Sequence, residues 1–256
     1  MRKYKLSVVS YINSIPFIKG IRSGPVSESL DIMLDVPSEC ARKIIASEAD
    51  IGLVPAVTIP KVADGSIVSS FCIGADGPVK SVVLVSNNPL DEIEKILLDH
   101  ESNTSVMLAR ILAKEYWHVD PKWSVAEPGF ERMIGDKEGA VIIGDRALAM
   151  ASKYRFVYDL AYEWKKFTGL PFVFAVWLSN ISLPDSFLQS FENSLESGIN
   201  EIESYCRDLI IPGSEFNACD YLTRFISYDL NTEKKEGLKL FLEKLENLEL
   251  SEEQVI

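Results

Sequence analysis

The chain has 256 residues, 47% of them hydrophobic and 25% charged, with a net charge of −12. Those proportions are ordinary for a soluble globular protein, and the length allows one large or two modest domains with cores of their own. Charges interrupt every window of about twenty residues, which excludes a membrane-spanning helix. No basic run is present to neutralise phosphates, which excludes nucleic acid as a partner.

The first residues, MRKYKLSVVSYINS, are positively charged, but the apolar run is too short for a secretory signal, so a cytoplasmic protein is expected. Cys40, Cys72, Cys206 and Cys219 are scattered without a CxxC pair, and the two histidines are His100 and His118. Reduced thiols, no metal centre and no cofactor are the expectation.

Strand-like and helix-like segments alternate along the chain. Leu6–Val9 and Asp31–Asp35 are predicted strands. Pro37 suits the first turn of a helix with Ala41, Ile44 and Ile45 as its apolar stripe, and Ile51–Val54 follows as a buried strand. Strands are predicted at Ile67–Ile73, Ser81–Ser86, Lys95–Leu98, Lys122–Ala126, Ala140–Ile143, Phe156–Asp159 and Phe172–Leu178. Helices are predicted at Thr104–Tyr116, Arg146–Ser152, Asp185–Cys206 and Thr232–Leu248, the last two from apolar residues at helical spacing.

This alternation predicts an α/β fold with mainly parallel sheets. The nearly uncharged strands SVVLVS and FVFAVW bracket a middle block. A chain that leaves one lobe, builds a second and returns gives two lobes: residues 1–86 with 176–256, and residues 87–175. A cleft between them is expected, with hinges near Ser86–Asn87 and Ala175–Trp177 and lobe closure on binding.

Ligands in such folds sit beyond the carboxyl ends of strands. Ser10, Tyr11 and Asn13 lie just past the first strand and offer donors and acceptors, although Ser and Asn equally suit a turn or a helix cap. Ser102, Asn103, Thr104 and Ser105 precede an amphipathic helix. One of them must cap it, and together they suit a carboxylate at a helix N-terminus. In GPVKS, Ser81 and Lys80 face either an anion or solvent at a Gly-Pro turn. Gly144 permits close backbone approach, and Asp145 either accepts a ligand hydroxyl or caps the next helix. Phe172 is core or the wall of a pocket. His100 is a base or a turn residue, and His118, at a helix end, suits a cap.

The motifs VSYINSIPF, DVPSECARKI, ADIGLVP, IGADGPVKSVVLVS, SNTSV, IIGDRAL and YDLAYEWKKFTGLPFVFAVW, in this order, resemble the chorismate dehydratase family of the futalosine route to menaquinone. The resemblance implies a type II periplasmic-binding-protein-like fold and no cofactor. It implies chorismate as substrate and 3-[(1-carboxyvinyl)oxy]benzoate as product, with Asn13 as catalytic residue. It also implies Ser10, Tyr11, Ser81, Ser102, Asn103, Thr104, Ser105, Gly144, Asp145 and Phe172 around the substrate. Two positions depart from the family pattern: Asn103 replaces the arginine of SRTSV, and Ala161, followed by Tyr162, replaces the glycine of YDLGEEW. The rival expectations are a small-acid receptor without chemistry and the sibling 1,4-dihydroxy-6-naphthoate synthase, which would need a histidine in the cleft.

Overall fold

The computed structural model describes residues 3–99, 101–127, 129–132, 134–214 and 216–253. In chain order its regular elements are β1 (Tyr4–Val9), α1 (Ile15–Ser23), β2 (Leu30–Asp35), α2 (Pro37–Ile45), β3 (Ile51–Pro55), β4 (Ser66–Ala75), β5 (Val82–Ser86), β6 (Lys95–Leu98), α3 (Asn103–Leu112) and β7 (Lys122–Val125). They continue with β8 (Glu138–Ile143), α4 (Gly144–Met150), β9 (Phe156–Asp159), α5 (Leu160–Thr168), β10 (Phe172–Ser179), α6 (Asp185–Asn200), α7 (Ile202–Tyr205), α8 (Ala218–Asp220), β11 (Ser227–Asp229) and α9 (Thr232–Glu253).

The chain divides into two compact units. The first comprises Met1–Gly74, Val173–Ile210 and Asn217–Asn231; the second comprises Ala75–Phe172, Ile211–Phe216 and Thr232–Ile256. These boundaries differ from the expected ones at residues 86 and 176. β5 pairs with β8 and β9, which puts residues 75–86 in the second unit. The C-terminal helix α9 joins that unit as well, because Phe241 packs on Trp164 and Phe172 with ring centroids 6.2 and 5.0 Å away.

In the first unit a six-stranded sheet runs β11-β4-β10-β3-β1-β2. β1 is parallel to β2 and β3, while β10 is antiparallel to β3 and β11 to β4. In the second unit the order is β7-β6-β8-β5-β9. β6 is parallel to β7 and β8, and β5 is antiparallel to β8 and β9. The sheets are therefore mixed rather than mainly parallel: β10 and β11 run antiparallel to β3 and β4 in the first, and β5 runs antiparallel to β8 and β9 in the second.

Burial follows chemistry. All eight residues of β10 are buried, as suits an apolar strand at the centre of a sheet. Phe17 meets Trp177 at 5.5 Å and Tyr228 at 5.3 Å in the first core. Val83, Val85, Phe130, Ala140 and Ile142 form a core in the second. α5 adds to the predicted helices, and Asp159 at its start and Gly169, left-handed at its end, are the usual terminators. The helix expected over Asp185–Cys206 ends at Asn200, and the one expected over Thr104–Tyr116 changes to a π-helical turn at Ala113.

Two cysteines correct the expectation of four thiols. Cys206 and Cys219, thirteen residues apart in sequence, form a disulfide, whereas Cys40 and Cys72 are buried thiols. Removing the bond by reduction should lower stability by about 3 kcal/mol, measured as a shift in the urea unfolding midpoint with and without reductant. The contact of α1 with α6 rests on Gly20 and Gly198. A Cβ on Gly198 would stand 2.0 Å from the Pro16 carbonyl oxygen. Gly198→Ala should therefore destabilise by about 1–3 kcal/mol, read from the same unfolding curves.

Candidate functional site

In the first unit, β1 runs out into the polar turn because its neighbour β2 ends in Asp35. The Asp35 carboxylate accepts from Ser7 Oγ at 2.7 Å and pairs with Lys43 Nζ at 2.7 Å, and its backbone carbonyl accepts the N–H of Ser10 at 2.9 Å. Cys40 lies beside this group, and burial pushes its thiol up to about 12, so it is no nucleophile at neutral pH. Residues 12–14 form a single 3₁₀ turn that feeds α1, with Pro16 in the first helical turn. Neither Tyr11 before that turn nor Ser14 before α1 makes a side-chain cap hydrogen bond.

Asn13 is 9% exposed. Its side-chain oxygen accepts from Ser14 Oγ at 3.1 Å, and its backbone carbonyl accepts from the Tyr228 hydroxyl at 3.1 Å. Burial raises the Tyr228 phenol well above its ordinary value, so it stays a donor. The Asn13 amide is thus anchored through oxygen, which leaves its NH₂ as the donor to offer. Ser10 is exposed and Tyr11 half-buried.

In the second unit three polar groups follow the ends of strands. Ser102 caps α3, accepting from the Ser105 N–H at 3.4 Å, and the two hydroxyls lie 3.0 Å apart. Thr104 and Ser105 are buried, and Asn103 is exposed at the first helical position. Asp99 directly follows β6. Its fully buried carboxylate accepts from the Glu101 N–H at 3.0 Å and from Arg146 Nη2 at 2.8 Å. Arg146 also pairs with Glu101 at 2.9 Å.

Ser81 is buried ahead of β5, and its carbonyl accepts the Gly144 N–H at 2.8 Å. Gly144 has φ +62°, a conformation that favours glycine. Asp145 lies within the first turn of α4 rather than at its cap, which Ile143 occupies. A pocket of about 610 Å³ in this unit is lined by Asp145, Arg146, Lys153, Tyr154 and Gly213 among others, with Glu131 at its wall. The buried Oε2 of Glu131 has no hydrogen-bond partner. Neither Arg146 nor Glu131 stood out in the sequence, because neither belongs to a small polar cluster.

Phe172 packs as one of the two readings expected. Its ring is fully buried against Trp164 and Phe241, as a core residue is. His118 is exposed and left-handed at the end of the π-helical turn, with Nδ1 3.3 Å from the Lys114 carbonyl oxygen, a capping position. His100 lies outside the described residues. Among the described residues no group of three or more His, Cys, Asp or Glu side chains could hold a metal ion. No helix of the described residues is long and apolar enough to cross a membrane.

Two α/β units, each with a mixed sheet, define the periplasmic-binding-protein type of fold, and solved structures agree. Protein AF1704 from Archaeoglobus fulgidus matches with a TM-score of 0.73 over 97% of this chain and 98% of that one, at 15% identity. The Candida albicans CA3427 gene product, described as exhibiting the generic periplasmic binding protein fold, matches with a TM-score of 0.62 over 96% and 95%, at 13% identity. At the level of sequence, the family model described as menaquinone biosynthesis matches residues 4–247, and the chain belongs to that family. Two curated relatives carry the name chorismate dehydratase. The protein of Thermus thermophilus is 29% identical over 269 residues, covering 96% of each chain. That of Campylobacter jejuni is 24% identical over 253 residues, covering 95% of this chain and 98% of its own.

Burial holds the Asp99 carboxyl above the usual aspartate range, against the opposing pull of the Glu101 N–H and Arg146. A native pKa above the unfolded one means that the stability Asp99 contributes is full at low pH and is lost as pH rises through the native value. Between about pH 3 and pH 7 the difference in unfolding free energy between wild type and Asp99→Asn should move in favour of the Asn variant. Urea denaturation at several pH values measures it, and a difference that is flat with pH would contradict the shift.

Proposed function

We propose that this chain is a chorismate dehydratase, a lyase that converts chorismate to 3-[(1-carboxyvinyl)oxy]benzoate and water. The observation that carries the reading is the near full-length match to two relatives of that name, within a family devoted to menaquinone biosynthesis. A cytoplasmic location goes with it, and there the Cys206–Cys219 bond would stand in reducing surroundings.

The reaction takes a proton from C3 of the cyclohexadiene and the hydroxyl from C4. The C3–H electron pair becomes the new C3–C4 π bond, and the hydroxyl leaves with a proton as water. The ring becomes aromatic, which supplies the driving force with no net redox change. The enolpyruvyl carboxylate of the substrate is placed to take the C3 proton itself. Asn13 is the residue we assign to the chemistry: its NH₂, oriented through the Ser14 bond to its oxygen, donates to that carboxylate or to the departing hydroxyl. We assign substrate contacts to Ser10, Tyr11, Ser81, Gly144, Asp145 and the residues Ser102, Asn103, Thr104 and Ser105, whose hydroxyls and N–H groups suit carboxylate oxygens. Asn103 offers a neutral donor where the family pattern has a cation.

Incubation of the purified protein with chorismate, followed by chromatography with mass detection, tests the reading. A product lighter by one water with an aromatic ultraviolet spectrum is expected. Chorismate recovered unchanged with saturable binding would instead make the protein a receptor, a use to which the fold is also put. Asn13→Ala should lower kcat by about 100-fold or more, as loss of a preorganised donor does. Wild-type turnover in that variant would remove Asn13 from the chemistry.

A further inference from the structure

One carboxylate in the second unit holds more backbone than a helix cap requires. Asp159 ends β9 and caps α5 by accepting the Tyr162 N–H at 3.2 Å. The same carboxylate accepts the Val79 N–H, at 2.9 Å to Oδ2 and 3.1 Å to Oδ1, and the Lys80 N–H at 2.7 Å. Val79 and Lys80 are eighty and seventy-nine residues away in sequence, so this is tertiary structure and not local capping.

The clamped turn is an uncomfortable one. Lys80 has φ +66°, a left-handed conformation that a side chain with a Cβ rarely adopts. Two charge-assisted bonds from consecutive N–H groups to one carboxylate are what keep it there. The next residue is Ser81, whose carbonyl receives the N–H of Gly144 at 2.8 Å. The conformation of residue 80 therefore sets where Ser81 stands and, through it, where Gly144 stands. An aspartate is a costly choice for this place, since burial raises its pKa while the N–H groups of Lys80, Val79 and Tyr162 pull it back down.

We propose that Asp159 is a positioning residue of the reaction, holding the Val79–Lys80 turn left-handed so that Ser81 and Gly144 present their groups to the substrate; the inference rests on the dehydratase reading above. Asp159 touches no reacting atom in this account and acts through the turn.

The test uses the full chain and initial rates of product formation from chorismate. Asp159→Asn replaces one acceptor oxygen with a donor and should lower kcat/KM by about tenfold or more, carried mainly by a higher KM. Asp159→Ser keeps an oxygen able to cap α5 but cannot span to both Val79 and Lys80, and it should show the same loss. Glycine adopts the left-handed conformation freely, so with Lys80→Gly as the reference the further loss on Asp159→Asn should shrink to about threefold or less. Thermal unfolding of each variant accompanies the rates, and Asp159→Ser serves if Asp159→Asn does not fold. An unchanged KM in folded Asp159→Ser, or an equal loss with and without the Lys80→Gly substitution, overturns the positioning role while the dehydratase reading stands. Wild-type protein that forms no product overturns that reading and this inference with it.

Discussion

Each sheet depends on one strand that is paired on both edges and runs against a neighbour, β10 against β3 and β5 against β8 and β9. β10 lies between β3 and β4, and β5 between β8 and β9, and every residue of both strands is buried. Paired on both edges and covered on both faces, such a strand can carry no charge, and FVFAVWLS and VVLVS carry none. Each large apolar side chain buried there contributes roughly 1.5–3 kcal/mol. Without β10, Val54 and Leu53 of β3 would lose the partners Val176 and Trp177, and the first sheet would fall into two pieces.

In each unit, strands that pair in parallel with a neighbour end at polar candidate residues. β1, β6 and β8 each run straight into polar residues: Ser10 to Asn13, Asp99 to Ser105, and Gly144 with Asp145. Aspartates at the ends of β2 and β9 and just past β6 hold the chain around them. Asp35 answers Ser7 and Lys43, Asp99 answers Glu101 and Arg146, and Asp159 answers Val79, Lys80 and Tyr162. The smaller hydroxyl and amide groups, which suit an anionic ligand, also hold one another: Ser14 Oγ donates to the Asn13 side-chain oxygen, and the Ser102 and Ser105 hydroxyls lie 3.0 Å apart.

The sequence made the strands and the long helices legible because their signal is local: β6 and β9 stand at the expected bounds, and β10 differs by one residue at its end. Sheet direction was not legible, since an apolar run has the same composition whether it runs with or against its neighbour. The disulfide was hidden for a similar reason, the twelve intervening residues giving no sign that Cys206 and Cys219 would meet. Among the candidate site residues, Asn13, Ser81 and Ser102 are buried, while Phe172, readable as core or wall because hydrophobic walls and cores share one alphabet, packs on Trp164 and Phe241. Asp159 lies in plain view within YDLAYEW, but its value rests on N–H groups about eighty residues away. Ala161 in place of the family glycine has a simple account: it is buried within α5, where a glycine would only add conformational freedom.

The loop closed by Cys206 and Cys219 contains Ile211–Phe216, which belongs to the second unit, although both cysteines belong to the first. Ile210, 85% exposed, stands on that loop as an inviting point for proteolytic attack. A single cut anywhere between the two cysteines would leave the N-terminal and C-terminal fragments joined through sulfur. Such a nicked molecule would run at full mass on a gel until a thiol separated it, so integrity judged without reductant would overlook the break.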